Sequence, residues 1–497
     1  MSDKILAIDQ GTTGSTCLVV GMGTSGSGAT ILGRGYSEFP QHFPEPGLVE
    51  HDLEEIWAAT LKAIRGALEA AKVKPANIAA IGITNQRETS GVWDEKGQPL
   101  HHAIVWQDRR TADRCRALRE AGHEELVRSR TGLVLDPYFS GTKVAWLLDN
   151  VPMLRQRAER GEIRFGTIDT WLTYKLTAGA VHVTDATNAS RTMLFDIRRA
   201  TWDDELCGII GQIPRRMLPQ VRSSSEVFGK TRGVGVLPDG IPISGIAGDQ
   251  QAALFGQACF EPGMAKCTYG TGAFALINTG QKPVTSHRGL LTTIAWRLGN
   301  TNTYAIEGST FVAGAIVQWL RDGLEFFEDS AEIEALAKQV TDTGGVVLVP
   351  ALTGLGAPHW RPEARGIITG ITRGTTRAHI ARAALEGIAF QVHDLLDAMR
   401  QDTGSALRVL RVDGGASAND LLMQFQADIL GIEIHRPEVL DTTALGAAFL
   451  AALGIGMFSD MDAVAKAWKL NRAYRPTMTD AAAKEHLARW DESVAKA

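Results

Sequence analysis

"LAIDQGTTGST" runs from Leu6 to Thr16. Lys4 to Ile8 and Cys17 to Val20 read as the two strands of a hairpin, apolar and β-branched on either side of a Gly/Thr turn. The anomaly is Asp9, a carboxylate at the end of a strand otherwise built for a core. A Gly/Thr turn offers backbone N–H groups and hydroxyls that converge on an anion. A phosphate chain with its magnesium wants those donors and one carboxylate for the metal's water shell. An ordinary hairpin, in which Asp and Gly only serve the turn, is the competing reading.

Working outward, "MAKCTYGTGAFALINTG" repeats the strand, Thr/Gly turn, strand pattern and reads as an internal repeat. A third Gly-rich turn, "DGGASAN" (Asp413 to Asn419), lies between a strand and a helix. Its glycines let a ring or ribose approach the backbone, and the helix start adds partial positive charge. No GxxxxGK[ST] lies near these turns, which excludes a Walker-type site. Helical stripes occupy Leu53 to Leu68 after the candidate N-cap Asp52, and Ile380 to Met399. "IAAIGIT" and "GVWD" read as strands, "GMGTSGSGAT" (Gly21 to Thr30) as a flexible loop, and "TALGAAFLAALGIG" as a helix of small residues. With 497 residues, the chain is expected to form two α/β domains, each a sheet flanked by helices.

Hydrophobic residues make up 44% and charged residues 22%, with a net charge of −5. That balance argues against nucleic acid or an anionic membrane as partner. Arg109, Arg110, Arg114, Arg116 and Arg119 read as a solvated helix face rather than a polyanion patch. Five scattered cysteines without a CxxC pair argue against a zinc site or a disulfide framework. With no apolar run of bilayer length and no signal pattern in Met1 to Asp9, the expected location is cytoplasmic.

Three further groups carry candidate chemistry. "GDQ" (Gly248 to Gln250) offers Asp249 as a base, against the alternative of a helix N-cap. Arg87 and Glu88 burst out at a strand end, against the alternative of a solvated ion pair. Trp106 in "VWQDRR" is a ligand platform or a core residue.

On "DQGTTGS", "NQRET", "VWQDRR", "GIAGDQQAALFGQ", "YGTGAF", "GLLTTIAW", "TGLGAPHW", "RVDGGASANDLLMQFQ" and "TALGAAFLA", the chain resembles the FGGY carbohydrate kinases over nearly its whole length. "YFSGTKVAWLLDN" and "GIITGITRGTTRAHIARAALE" resemble that family's two signature patterns. The pairing of "NQRET" with "GIAGDQQAA" points to glycerol among the family's substrates. The resemblance implies two actin-like, ribonuclease H-like ATPase domains, residues 1–250 and 251–497, with a catalytic cleft between them. It implies ATP-dependent phosphorylation of glycerol to sn-glycerol 3-phosphate, with Asp249 as general base. Glycerol would meet Arg87, Glu88, Tyr138, Asp249, Gln250, Trp106, Phe274 and Thr12. ATP would meet Thr12, Thr13, Gly14, Thr271, Gly314, Gln318, Gly415 and Asn419, and Mg2+ would sit at Asp9, directly or through water. A homodimer or homotetramer is implied as well. The alternatives are a kinase for another polyol or ketose such as xylulose, and an actin-like ATPase acting as scaffold or chaperone. Gly14 and Thr16 depart from the serine and arginine common in the family. "GKTRGVGVLPDG" (Gly229 to Gly240) departs from the loop through which some relatives respond to fructose 1,6-bisphosphate.

Overall fold

The computed structural model describes residues 3–23, 28–361, 363–404 and 406–497. The loop expected over Gly21 to Thr30 falls partly on residues 24–27, outside the described set; Gly21 and Met22 are strand.

The opening hairpin is longer than its apolar residues suggest. β1 (Lys4–Gln10) and β2 (Gly14–Met22) stay paired through Asp9↔Thr16 and Gln10↔Ser15, and Gly11 N–H closes the turn on Gly14 O at 2.9 Å. Asp9 therefore lies inside the ladder, not in the turn. β3 (Ala29–Glu38) pairs antiparallel with β2. β4 (Ile78–Asn85) runs parallel to β1. β5 (Ser225–Lys230) and β6 (Pro242–Gly248) complete a six-stranded sheet in the order 5-6-4-1-2-3.

The second sheet repeats this arrangement. β7 (Ala265–Tyr269) and β8 (Ala273–Gly280) form the echoed hairpin. β9 (Leu291–Leu298) and β10 (Thr301–Thr310) extend it beyond β8, and β11 (Val409–Asp413) and β12 (Glu433–Pro437) continue parallel beyond β7. β13 (Leu470–Tyr474) closes the edge. An antiparallel run, of three strands in the first half and four in the second, followed by two parallel strands is the expected ribonuclease H-like, actin-like order.

Each sheet buries one face against a long amphipathic helix. α1 (Leu53–Ala71) covers Leu6, Ile8, Cys17 and Val19 with Ile56, Ala63 and Ile64, and Asp52 caps it by accepting from Glu54 N–H at 2.7 Å. The second sheet packs on a helix spanning Arg377–Thr403. The inner faces share one core around α2 (Asp249–Gly256) and a helix spanning Thr442–Gly454. Ile5, Ala7 and Leu18 of one sheet and Leu276, Trp296 and Ala305 of the other meet there. The small residues of the 442–454 helix are explained by contact distance. A Cβ on Gly446 would stand 1.8 Å from Ala252 O, and one on Gly82 would stand 2.1 Å from Ala447 O. Only glycine lets this helix lie so close to both α2 and the first sheet. Asp249, at the first turn of α2, is fixed by that packing. Residues between Val92 and Leu218 build a further cluster with Ile294 and Tyr304 of the second sheet, and Tyr138 packs against it.

Candidate active site

Parallel strands present ligand-binding residues at their carboxyl ends. In the first sheet three such ends lie side by side. β1 ends at the Gly11 turn, β4 leads into Arg87 and Glu88, and β6 leads into Asp249. Gln86 stitches the end of β4 to that of β1, its N–H donating to Gln10 O at 2.7 Å and its Nε2 to Gly11 O at 3.2 Å.

Arg87 and Glu88 are not a solvated pair. Their side chains are only 2% and 1% exposed. Glu88 takes φ of +63°, a left-handed conformation a glutamate adopts only when its surroundings impose it. Glu307, in the middle of β10, holds Arg87 bidentately, accepting from Nη1 at 2.5 Å and Nη2 at 2.9 Å. Nη1 also donates to Gln251 Oε1 at 3.1 Å. The remaining edge, Nε, faces Asp249 Oδ1 at 3.1 Å. Arg191 completes the square, with Nε donating to Glu88 at 2.7 Å and Nη2 to Glu307 at 2.9 Å. Burial works against the charge of Glu307, but Arg191 and Arg87 outweigh it and hold its carboxyl at about 2. Burial instead prevails at Glu88 and raises it, against the pull of Arg87 and Arg191. Removing one member of such a network leaves a buried charge unpaired, at about 3–5 kcal/mol.

Asp249 does not cap α2. Gly248 occupies the cap position, and Asp249 is about one-third exposed; among the described residues it accepts from Gln250 N–H at 2.7 Å and faces Arg87 Nε at 3.1 Å. Gln250 gives its Oε1 to the buried Lys266 of β7, whose ammonium also reaches Thr268 Oγ1 at 2.9 Å. The Gln250 amide therefore turns its NH2 outward. Trp106 is half-buried, not core. Its Nε1 donates to Thr12 Oγ1 at 2.9 Å, and its ring meets Tyr138 edge-on at 5.6 Å, joining the first turn to the Arg87 pocket. Phe274, half-buried on β8, pairs with Thr268. Of the arginine cluster, Arg110 leaves the solvated face. It is buried against Glu50 and Asp108 at 2.8 Å and stacks on Trp146, while Arg109, Arg114, Arg116 and Arg119 pair with surface acids.

The other candidates gather at the ends of β7 and β11. Gly270 N–H closes the second turn on Gly272 O at 2.9 Å, leaving Thr271 exposed. Gly314 N–H reaches Gly270 O at 2.9 Å, so the helix Gly314–Asp322, with Gln318 exposed on its second turn, starts against that turn. Gly414, at φ +84°, passes so near that a Cβ would sit 2.5 Å from Tyr269 O, and Gly415 follows, exposed. Asn419 Oδ1 is committed to capping the next helix, accepting from Leu422 N–H at 2.9 Å, which leaves its NH2. Thr12, Thr13 and Gly14 lie on the opposite lobe; Thr13 is exposed.

Asp9 suits a hard cation. No hydrogen-bond donor among the described residues reaches its carboxylate. Burial, then Asp249 and Asp441, push it up to about 7 against the opposing charge of Arg34. No cluster of three or more His, Cys, Asp or Glu side chains able to cage a metal exists among the described residues. One carboxylate with water and phosphate ligands is the arrangement magnesium favours.

Glu307, Arg191 and Lys266 escape the sequence reading. For two of them the signal was the one that exposed Asp9: a lone charge inside an apolar strand, as in "YAIEGST" and "MAKCTY".

Comparison with known proteins agrees with this geometry. The model of the FGGY family of carbohydrate kinases, N-terminal domain, matches residues 4–256, and that of the C-terminal domain matches 265–455. A glycerol kinase of Myxococcus xanthus is 58% identical over 496 residues, covering 99% of both chains. One of Deinococcus radiodurans is 56% identical, over 99% of this chain and 97% of its own. The crystal structure of Plasmodium falciparum glycerol kinase with ADP superposes with a TM-score of 0.91 at 37% identity, covering 100% of this chain and 98% of that one. Gluconate kinase from Lactobacillus acidophilus shares the fold, with a TM-score of 0.86 at 21% identity over 99% and 96% of the two chains. With family models for both domains matching residues 4–256 and 265–455, the chain belongs to the FGGY family of carbohydrate kinases.

Proposed function

We propose that glycerol lies in the cleft against Arg87, Glu88, Tyr138, Asp249 and Gln250, with Trp106 and Phe274 along its carbons, and that Asp249 is the general base. The chain phosphorylates glycerol to sn-glycerol 3-phosphate, using ATP and Mg2+. One observation carries the assignment of roles: Glu307 and Gln251 consume the Nη edge of Arg87, so the Nε edge stands beside Asp249 at 3.1 Å. A hydroxyl entering between them accepts from Arg87 and donates to Asp249, the polarity needed to deprotonate it. A buried polyol site must pair every hydroxyl. Glu88 accepts from a second, and the outward NH2 of Gln250 donates.

The nucleotide spans the lobes, its base side near Gly314, Gln318, Gly415 and Asn419. Its phosphates lie between Thr271 and the Thr12–Gly14 turn. As Asp249 takes the proton, the hydroxyl oxygen forms its bond to the γ-phosphorus and the bond to the β-bridging oxygen breaks, releasing ADP. Positioning and charge neutralisation carry most of such a transfer. Magnesium at Asp9, when bound, neutralises phosphate charge. Residues 1–250 then supply the acceptor site and first phosphate turn, and 251–497 the nucleotide site. Cytoplasmic residence is part of the same proposal, supported by five cysteines that are all free and buried. So is a homodimer or homotetramer, which light scattering will size. No helix among the described residues is long and apolar enough to cross a membrane.

Asp249→Asn is expected to lower kcat by about 10²–10⁴-fold while glycerol affinity by calorimetry stays within a few-fold. Turnover at the parent rate would remove Asp249 from the base role. ADP release with glycerol, dihydroxyacetone and xylulose in parallel tests the acceptor.

A further inference from the structure

The first phosphate turn has no cation on its own hairpin. β1 and β2 carry one basic residue, Lys4, at the end of β1 remote from the turn. Yet Asp9, Asp249 and Asp441 crowd there, and a nucleoside triphosphate brings further negative charge. The neighbouring strand supplies the opposite sign. Across the sheet Asp9 pairs with Thr16 and Thr16 with Tyr36, while Ala7 pairs with Leu18 and Leu18 with Arg34. Directly paired residues share a face of the sheet. Arg34 and Tyr36 therefore project from the same face as Asp9, beside the cleft.

Both side chains are exposed and weakly engaged. Arg34 is 57% exposed and stands 3.3 Å from Asp441, the residue preceding the 442–454 helix. An exposed pair of that kind is easily exchanged for a better partner. Its charge is already felt at Asp9. Tyr36 is 50% exposed, and its hydroxyl reaches Glu38 only at 3.5 Å. Its ring lies over the last residue of the turn: a Cβ on Gly14 would stand 2.7 Å from Tyr36 Oη. The missing side chain at Gly14 leaves room for the phenol over the turn.

We propose that Arg34 and Tyr36 are nucleotide-binding residues that grip the terminal phosphates of ATP. Arg34 exchanges Asp441 for a phosphate, which its planar guanidinium binds through two parallel hydrogen bonds. Tyr36 donates its hydroxyl at the Gly14 end of the turn. This rests on the reading of Gly11 to Gly14 as a phosphate turn, and it gives that turn the cation its hairpin lacks.

Steady-state kinetics and melting of the full chain test it. Arg34→Ala is expected to raise the KM for ATP by about tenfold or more, with the KM for glycerol and the melting temperature unchanged. Arg34→Lys, which keeps the charge and loses the fork, falls between parent and Arg34→Ala. Tyr36→Phe raises the KM for ATP several-fold. Asp441→Asn separates this from a structural ion pair, since releasing Arg34 leaves the KM for ATP at or below the parent value. An unchanged KM for ATP in Arg34→Ala and Tyr36→Phe overturns the proposal, as does an Asp441→Asn variant that reproduces the Arg34→Ala defect. Asp9→Asn tells the two readings apart. If it abolishes turnover while Arg34→Ala is silent, only the Arg34 and Tyr36 grip fails. If it too is silent, the phosphate turn itself is misplaced.

Discussion

The two hairpins share a backbone plan and differ in charge. Aligned on their turns, "AIDQG" of the first stands where "KCTYG" stands in the second. Ala7 and Asp9 thus match Lys266 and Thr268, all four on strand faces turned toward the helices between the sheets. The first hairpin carries there an acid that no hydrogen-bond donor among the described residues reaches, the second a buried ammonium bonded to Gln250. Under the proposed function, one architecture used twice divides its labour: the acid lobe would serve the cation that accompanies ATP, and the basic lobe would orient an acceptor residue.

Removing the acid should cost most. Asp9→Asn is expected to reduce kcat by about 10³-fold, since positioning and neutralising phosphate charge dominate this chemistry. Raising Mg2+ should recover part of the loss, and a magnesium titration of initial rates checks both. A smaller effect is expected at the ammonium. Lys266→Met frees Gln250 to rotate, so the KM for glycerol should rise by about five- to thirtyfold, one misplaced hydrogen bond being worth about 1–2 kcal/mol, with the KM for ATP nearly unmoved. If Lys266→Met instead raises the KM for ATP and spares glycerol, the ammonium serves the phosphates and the division of labour is wrong.

Much of this was legible in the residues because the carriers of chemistry contradict their surroundings. Asp9 and the glycine turns break apolar strands, and the internal echo of "DQGTTGS" in "YGTGAF" proves to be a repeated sheet topology. What stayed hidden depends on approach in three dimensions. Arg87 looks like one half of a local pair with Glu88, whereas its bidentate partner Glu307 is 220 positions away. The small residues of the 442–454 helix announce close packing but not that the helix crosses back onto the first sheet, where a Cβ on Gly82 or Gly446 would stand only 2.1 or 1.8 Å from a backbone carbonyl oxygen. Tyr36 over Gly14 is invisible without the strand register.

The finest test of the contrast is the pH dependence of stability. Burial lowers Lys266 from its ordinary 10.5, and Asp413, Cys267, Asp249 and Glu307 only partly oppose it. In the unfolded chain the same lysine titrates near 10.5. Between its lowered native value and 10.5 the unfolded state therefore binds more protons than the native state, and the stability contributed at this site rises with pH. In the Lys266→Met variant that rise is absent. Melting temperatures of the two proteins, measured from neutral pH to about 10, should converge toward the acid end and separate toward the alkaline end, parent above variant relative to their neutral offset. Parallel curves would mean that Lys266 keeps its proton in the folded state, its ammonium fully compensated by the surrounding acids. The second hairpin would then carry a paired charge, as Glu307 does, and the contrast with Asp9 would be one of sign alone.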